Sequence, residues 1–344
     1  MYYYIIFIYF LVLCFFTMIF SFNLNNNAKK YVYITLSFFL LLITSGHPFA
    51  YSVDDQQYSL LAQNILDHNE YFFDGIDYDY LYFTILKLLL LIFPIWFSII
   101  FISVVALYFK LYIIAKLTNF SILSLFIYFT IFYELHDLTQ FRVSLAVSFF
   151  YIALYFIITY KSFIRSLFIF MFAGLSHFQA IPSFIVPLIS KIFKYKFYLT
   201  FFLTIFVYFF SNINIFNILG YFGFSVELFR ATFDSSNLVG ISKFNLYNLL
   251  IFFILLLMIP ILNNSVNNKN IYIYTIAFYS ILFGFILSTM LSGIGEESRI
   301  IQFFFTTIVF LLPLVNSKKK MYFSITFIGV LFFIWFGQIN KLFI

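Results

Sequence analysis

Charge is what this sequence has least of. Of 344 residues, 9% are Asp, Glu, Lys or Arg, against about a quarter in a soluble domain, which excludes an ordinary water-soluble fold. Cys14 is the one cysteine, so no intramolecular disulfide forms and redox compartment is not legible. Walker, GxGxxG, HExxH, CxxC and GxSxG patterns are all missing, leaving nucleotide or energy-coupled chemistry unsupported. The first residues lack a basic n-region and a small-residue cleavage site, the expectation being a retained helix rather than a signal peptide. No internal repeat and no soluble domain is visible.

What is present in quantity is apolar. Hydrophobic residues make up 64% of the chain, with 58 Phe and 28 Tyr, and lipid solvates such side chains on every face of a spanning helix. The abundance of Phe, Tyr, Ile and Asn also fits an AT-rich coding sequence, so no function is read into any single Phe. The fold class is therefore all-α, a polytopic integral membrane protein. Apolar runs close to the ~20 residues of a span cover 2–22, 31–45, 95–112, 121–133, 143–160, 166–176, 181–192, 197–210, 246–262, 271–291, 300–315 and 321–336. The run 81–93 contains Lys87 and stops at Pro94, predicting a half-helix that is re-entrant or lies on the membrane surface. The expectation is about 11–13 spanning or re-entrant helices in a single transmembrane domain, 1–344.

The net charge is +6, but its distribution fits membrane topology and not nucleic acid. Thirteen of the 19 basic residues mark one side of the predicted spans: Lys29, Lys30, Lys110, Lys116, Lys161, Arg165, Lys191, Lys194, Lys196, Lys269 and Lys318 to Lys320. That side is cytoplasmic by the bias of short loops. The intervening segments 47–80, 134–142, 211–245 and 293–299 hold all 13 acids and are read as outer loops. Arg142, Arg230 and Arg299 are on the outer side, whereas 12 of the 13 cytoplasmic bases are lysines. Topology explains lysine inside; arginine outside calls for its planar fork, which matches carboxylate and phosphate.

Four outer constellations follow. In "ELHDLTQFRVSLA", Arg142 opens a helix against the macrodipole, so another group must hold it. Glu134 or Asp137 is the expected partner, and an interfacial ion pair with no further role competes with a functional reading. In "GLSHFQAIP", His177 precedes the helix-breaking Pro182 and is either a general base or a polar residue in a tight turn. In "GIGEESRIIQFF", glycines precede Glu296, Glu297 and Arg299 at a helix start, an anion-receiving shape that competes with a plain Glu297–Arg299 pair. The 47–80 segment has seven acids and no basic residue. There Asp54, Asp55, Gln56 and Tyr58 suit a sugar, while Asp74, Asp77 and Asp79 lack the ligand order of an EF-hand. A solvated acidic loop is the plain alternative.

The order of these pieces resembles the EpsG-like family of bacterial exopolysaccharide polymerases, akin in role to Wzy O-antigen polymerases. The stretches that carry the resemblance are "SGHPFAYSVDDQQY", "FRVSLAVSFFYIALYFIITYKSFIR", "FAGLSHFQAIPSFIVPLI" and "EESRIIQFF", across residues 31 to 315. His47 and Pro48 stand where the family has an arginine, Val143 where it has Gln, and Ser298 separates the late Glu–Arg pair. The resemblance implies a membrane glycosyltransferase, with a GT-C-like arrangement left open. It would join undecaprenyl-diphosphate-linked oligosaccharide repeat units at the outer face of the bacterial cytoplasmic membrane. It implies no cofactor and no metal. Partners would be the lipid-linked oligosaccharide, membrane lipids, a flippase and chain-length regulator proteins, with no nucleic acid. On this reading Arg142 and Arg299 clamp the diphosphate, and His177 is the base with Asp54 or Glu297 behind it. Asp54, Asp55, Tyr58, Gln140, Arg230 and Glu297 would hold substrate. A flippase or transporter of the same lipid, and a glycan ligase or acyltransferase, remain open.

Overall fold

The computed structural model describes residues 2–20, 25–48, 53–68, 79–119, 121–193, 196–210, 246–264, 271–290 and 297–311. They are helical apart from short turns and connections, with no strand among the described residues, as an all-α polytopic membrane protein requires. Five helices are long and apolar enough to cross a membrane: Asn26–Ser45, Ile95–Thr118, Ile122–Thr139, Phe141–Tyr160 and Ile271–Ser288. Shorter apolar helices accompany them. Arg230 and the segment 211–245 lie outside the described residues, as do Asp74, Asp77 and the span predicted at 321–336.

Two compact units divide the described chain at Ile181 and Pro182. The first contains α1 (Tyr2–Phe20), α2 (Asn26–Ser45), α3 (Val53–His68), α4 (Tyr80–Leu90), α5 (Ile95–Thr118), α6 (Ile122–Tyr128), α7 (Phe141–Tyr160) and α8 (Phe163–Ser176). The α4 helix has 11 residues, about 16 Å at 1.5 Å per residue, too short for a ~30 Å hydrocarbon core. It ends in a turn before Pro94, whose fixed φ starts α5. The short element predicted at 81–93 is therefore present, displaced by a residue or more at each end. Helices α7 and α8 form a hairpin closed by Lys161 in the left-handed region at φ 52°, its N–H bonded to Ile157 O.

Two sequence expectations are corrected here. The segment 134–139 is no loop: α6 continues as a π-helix over Phe129–Thr139, and Glu134, His136, Asp137 and Thr139 are buried in it. Lys110 is not at a cytoplasmic edge either. Helix α5 runs on past the expected end at 112 to Thr118, and Lys110 is fully enclosed inside it. Its ammonium donates to Asp137, and to Ser144 Oγ at 2.7 Å. Ser144 Oγ and Tyr128 OH also donate to Asp137, and Ser103 donates to the Asp137 backbone carbonyl at 2.6 Å. Burying both charges is tolerated because each finds an opposite charge and further hydrogen bonds. This node ties α5, α6, its π-helical extension and α7 together.

The second unit contains α9 (Ile185–Phe193), α10 (Phe197–Phe210), α11 (Leu246–Asn264), α12 (Ile271–Met290), α13 (Glu297–Phe305) and α14 (Ile308–Leu311). The α12 helix packs against α13 with no room to spare: a Cβ on Gly284 would stand 2.5 Å from Phe304 Cβ. Gly284→Ala is expected to cost about 1–3 kcal/mol through overpacking, read as a lower thermal unfolding midpoint of the detergent-solubilised chain. An unchanged midpoint would show that α13 can withdraw freely.

Candidate functional site

The site is assembled in the first unit around one carboxylate. Asp79 stands immediately before α4, where an acid favours a helix start, yet its side chain makes no cap to that helix. It is directed instead to residues far away in sequence. Asp79 Oδ2 accepts from Arg142 Nη1 at 2.8 Å, and Asp79 Oδ1 accepts from the Phe178 backbone N–H at 3.1 Å. Its carboxylate lies 3.3 Å from His177 Nδ1. A carboxylate only accepts, so Nδ1 carries the ring proton and the lone pair of the neutral imidazole is on Nε2.

The backbone delivers each partner. Helix α4 packs along α8, bringing the start of one to the end of the other. After α8, His177 turns extended, with its N–H on Ala173 O at 3.0 Å. The following turn, Phe178–Phe184, folds back over α8 so closely that a Cβ on Gly174 would meet Ile181 Cγ1 at 2.9 Å. Arg142 enters from the first turn of α7, after Gln140 makes the corner between the π-helix and α7.

Tyr58, from α3, completes the cluster. Its hydroxyl accepts from Arg142 Nε at 3.3 Å, and the guanidinium sits 5.5 Å from its ring centroid, a cation–π distance. Burial pushes the Tyr58 phenol up from its ordinary range, with the Arg142 charge opposing, so the hydroxyl stays neutral near pH 7. Two of the five guanidinium N–H donors are thus engaged, leaving three. Arg142 is also the open edge of the site: its side chain is 31% exposed, against 5% for Asp79 and 9% for His177.

The arrangement brings together Arg142, His177 and Tyr58 and adds Asp79, which the sequence reading had weighed only as a poor calcium ligand. Arg142 takes its carboxylate from Asp79, not from Asp137, which is occupied by Lys110. Asp54 lies in the first turn of α3. Asp55 is fully buried, so it does not present a sugar-binding surface. It lies close enough to His47 to pull on that imidazole, which burial nevertheless holds below its ordinary value. Tyr58 is likewise enclosed, its ring packed against Phe141 at 5.1 Å and Tyr82 at 5.8 Å. Glu297 and Arg299 belong to α13 in the second unit, and their side chains lie outside the described residues.

A helical bundle with an arginine, an aspartate and a histidine gathered around one shared carboxylate defines a polytopic membrane protein with a buried polar cluster. The model of the EpsG family matches residues 31–343. The chain belongs to the EpsG family, a family of polysaccharide-polymerase-type membrane proteins. Neither a curated protein nor a solved structure matches it.

Proposed function

We propose that this chain polymerises oligosaccharide repeat units carried on a lipid diphosphate, transferring the growing glycan from its carrier to a hydroxyl of the next unit. The observation that carries the reading is the Asp79 carboxylate shared by Arg142 and His177. Glycosyl transfer from a lipid diphosphate needs positive charge where the leaving group gathers negative charge, and it needs a base for the attacking hydroxyl. Arg142 supplies the first through its three remaining donors, with the bidentate geometry phosphate favours. His177 supplies the second, and Asp79 holds its tautomer and stabilises the imidazolium that forms. In the step, the acceptor O–H breaks, its oxygen bonds the anomeric carbon, and the carbon–oxygen bond to the diphosphate breaks. The proton passes to His177 and the electron pair leaves with the diphosphate, beside Arg142. Arg299 is proposed as a second phosphate contact on the strength of its helix-start position alone. The outer face of the cytoplasmic membrane, undecaprenyl as the carrier, and a flippase and a chain-length regulator as companions follow from the same reading.

Cells making Arg142→Ala are expected to keep single lipid-linked units and to lose long polymer, with elongation down about 10²–10³-fold. Arg142→Lys recovers little, because a point charge does not reproduce the fork. Long chains at normal abundance would remove Arg142 from the phosphate site. Loss of single units from the outer leaflet would point to a flippase instead.

A further inference from the structure

An apolar groove of about 460 Å³ runs between α1 and α2 in the first unit, with Tyr2, Ile5 and Val12 on one wall and Leu36, Phe39 and Gly46 on the other. The two helices are antiparallel, since the Tyr2 hydroxyl donates to Ile43 O at 3.0 Å and the Tyr9 hydroxyl to Leu36 O at 2.7 Å. Those bonds occupy both tyrosine hydroxyls of the groove, so its walls offer almost only carbon. Ile5 and Phe39 stay exposed, and the groove opens sideways to the hydrocarbon around a spanning helix. From Tyr2 to Val12 the helix rises about 15 Å, half of a ~30 Å hydrocarbon core. The end at Tyr2 and Gly46 adjoins the site. His47, the residue after Gly46, has its ring 5.7 Å from that of Tyr2 and 6.2 Å from that of Phe141. Phe141 packs on Tyr58 at 5.1 Å and directly precedes Arg142, which Tyr58 holds. One layer of rings therefore separates the groove from the arginine.

We infer that this groove seats the head-proximal part of the polyprenyl chain of the lipid diphosphate, whose charged head is at Arg142. The inference rests on the polymerase reading above and names where the donor's tail lies. A ligand that suits both places has an anionic head and a hydrocarbon tail, and a groove half a membrane deep keeps that tail in the leaflet of the site. The groove takes a single chain, which is what a polyprenyl diphosphate carries, whereas a glycerophospholipid carries two on one head. Moving the tail from bilayer to groove gains little hydrophobic energy, because both surroundings are hydrocarbon; the gain is in packing and shape. The groove thus acts by position, delivering the diphosphate to the guanidinium from a fixed direction.

The test uses the full chain in phospholipid nanodiscs and a polyprenyl diphosphate with a photoreactive diazirine in an isoprene unit near its head. After irradiation the label is expected on α1 and α2. Ile8→Trp, which fills the groove from a lining position, should lower that labelling about fivefold or more. Leu11→Trp, on the same helix and equally open to lipid but outside the groove, should leave it at the wild-type level. If Ile8→Trp lowers the unfolding midpoint, Leu42→Trp gives the same block from α2. Excess unlabelled polyprenyl diphosphate should displace the label, and the same excess of phosphatidylglycerol should not. Equal displacement by phosphatidylglycerol would overturn the inference by showing a groove for bulk lipid. Labelling that neither tryptophan reduces, or none on these helices because another helix fills the groove, would overturn it by placing the tail elsewhere. Elongation in membranes of cells making Arg142→Ala separates the two ideas. If that variant loses long chains while the labelling ignores the tryptophans, only the tail assignment fails; if it keeps normal chains while the groove labels and blocks as expected, the polymerase reading fails and the polyprenyl site stands.

Discussion

Asp79→Asn is expected to abolish long polymer while leaving the protein in the membrane at near-normal abundance. The two side chains have the same shape, so packing hardly changes, but their hydrogen-bonding roles differ. The carboxylate accepts from Arg142, from the Phe178 N–H and from His177 Nδ1. An amide has one oxygen for these donors, and its NH₂ group cannot accept from Nδ1–H. Facing an amide donor, His177 adopts the other tautomer, with the proton on Nε2 and no lone pair left there for the acceptor's proton. The imidazolium also loses its counter-charge, and Arg142 loses the partner that fixes its fork. A loss of base function alone is worth about 10²–10⁴ in rate, so elongation should fall by about 10³-fold or more. The measurement is the length distribution of surface polymer on a gel, with immunoblotting for the chain itself. A normal ladder in Asp79→Asn would show that the shared carboxylate has no part in the reaction.

How much of this was legible in the sequence depends on the physical signal each feature leaves. Span composition is a strong signal, since 18 or more apolar residues have few other destinations, and the five long helices coincide with predicted spans. Arg142 was also legible: a cation at the start of α7 is misplaced with respect to the helix dipole and demands a carboxylate. Which carboxylate was not. Asp137 and Glu134 are near in sequence, whereas the pairing with Asp79 spans 63 positions and depends on how α4 packs along α8. A hint was available in Asp79 itself, the last acid before an apolar helix. The error at Lys110 has a different origin. Short-loop charge rules treat any lysine near the end of an apolar run as a boundary, and the expected span was ended at 112. The apolar run Leu111–Ala115 beyond the lysine argued for continuation of the helix and hence for a lysine inside the bundle. An ionisable residue within a span implies a partner there, and Asp137 is that partner.

That buried pair carries the second large effect. Lys110→Met is expected to destabilise the first unit by about 3–5 kcal/mol, because it strands the Asp137 charge in a dry interior. Asp137→Leu alone should cost a similar amount by stranding the ammonium. The double variant Lys110→Met with Asp137→Leu removes both charges and should recover most of the loss, since apolar replacements of a buried pair are often neutral. Ser144 and Tyr128, left with hydroxyls that no longer donate to Asp137, account for the part not recovered. Unfolding midpoints of the detergent-solubilised chain give the cycle. The pair also bears on activity through geometry: Ser144, which donates to Asp137 at 2.6 Å, stands two residues after Arg142 in the first turns of α7. The node therefore fixes the rotation of α7 and with it the direction of the guanidinium. The double variant, folded but without that restraint, should make shorter polymer than wild type while Arg142 and Asp79 are both present. Wild-type stability in Lys110→Met would mean that the pair is not dry, and wild-type chain length in the double variant would mean that Asp79 and Tyr58 alone aim Arg142.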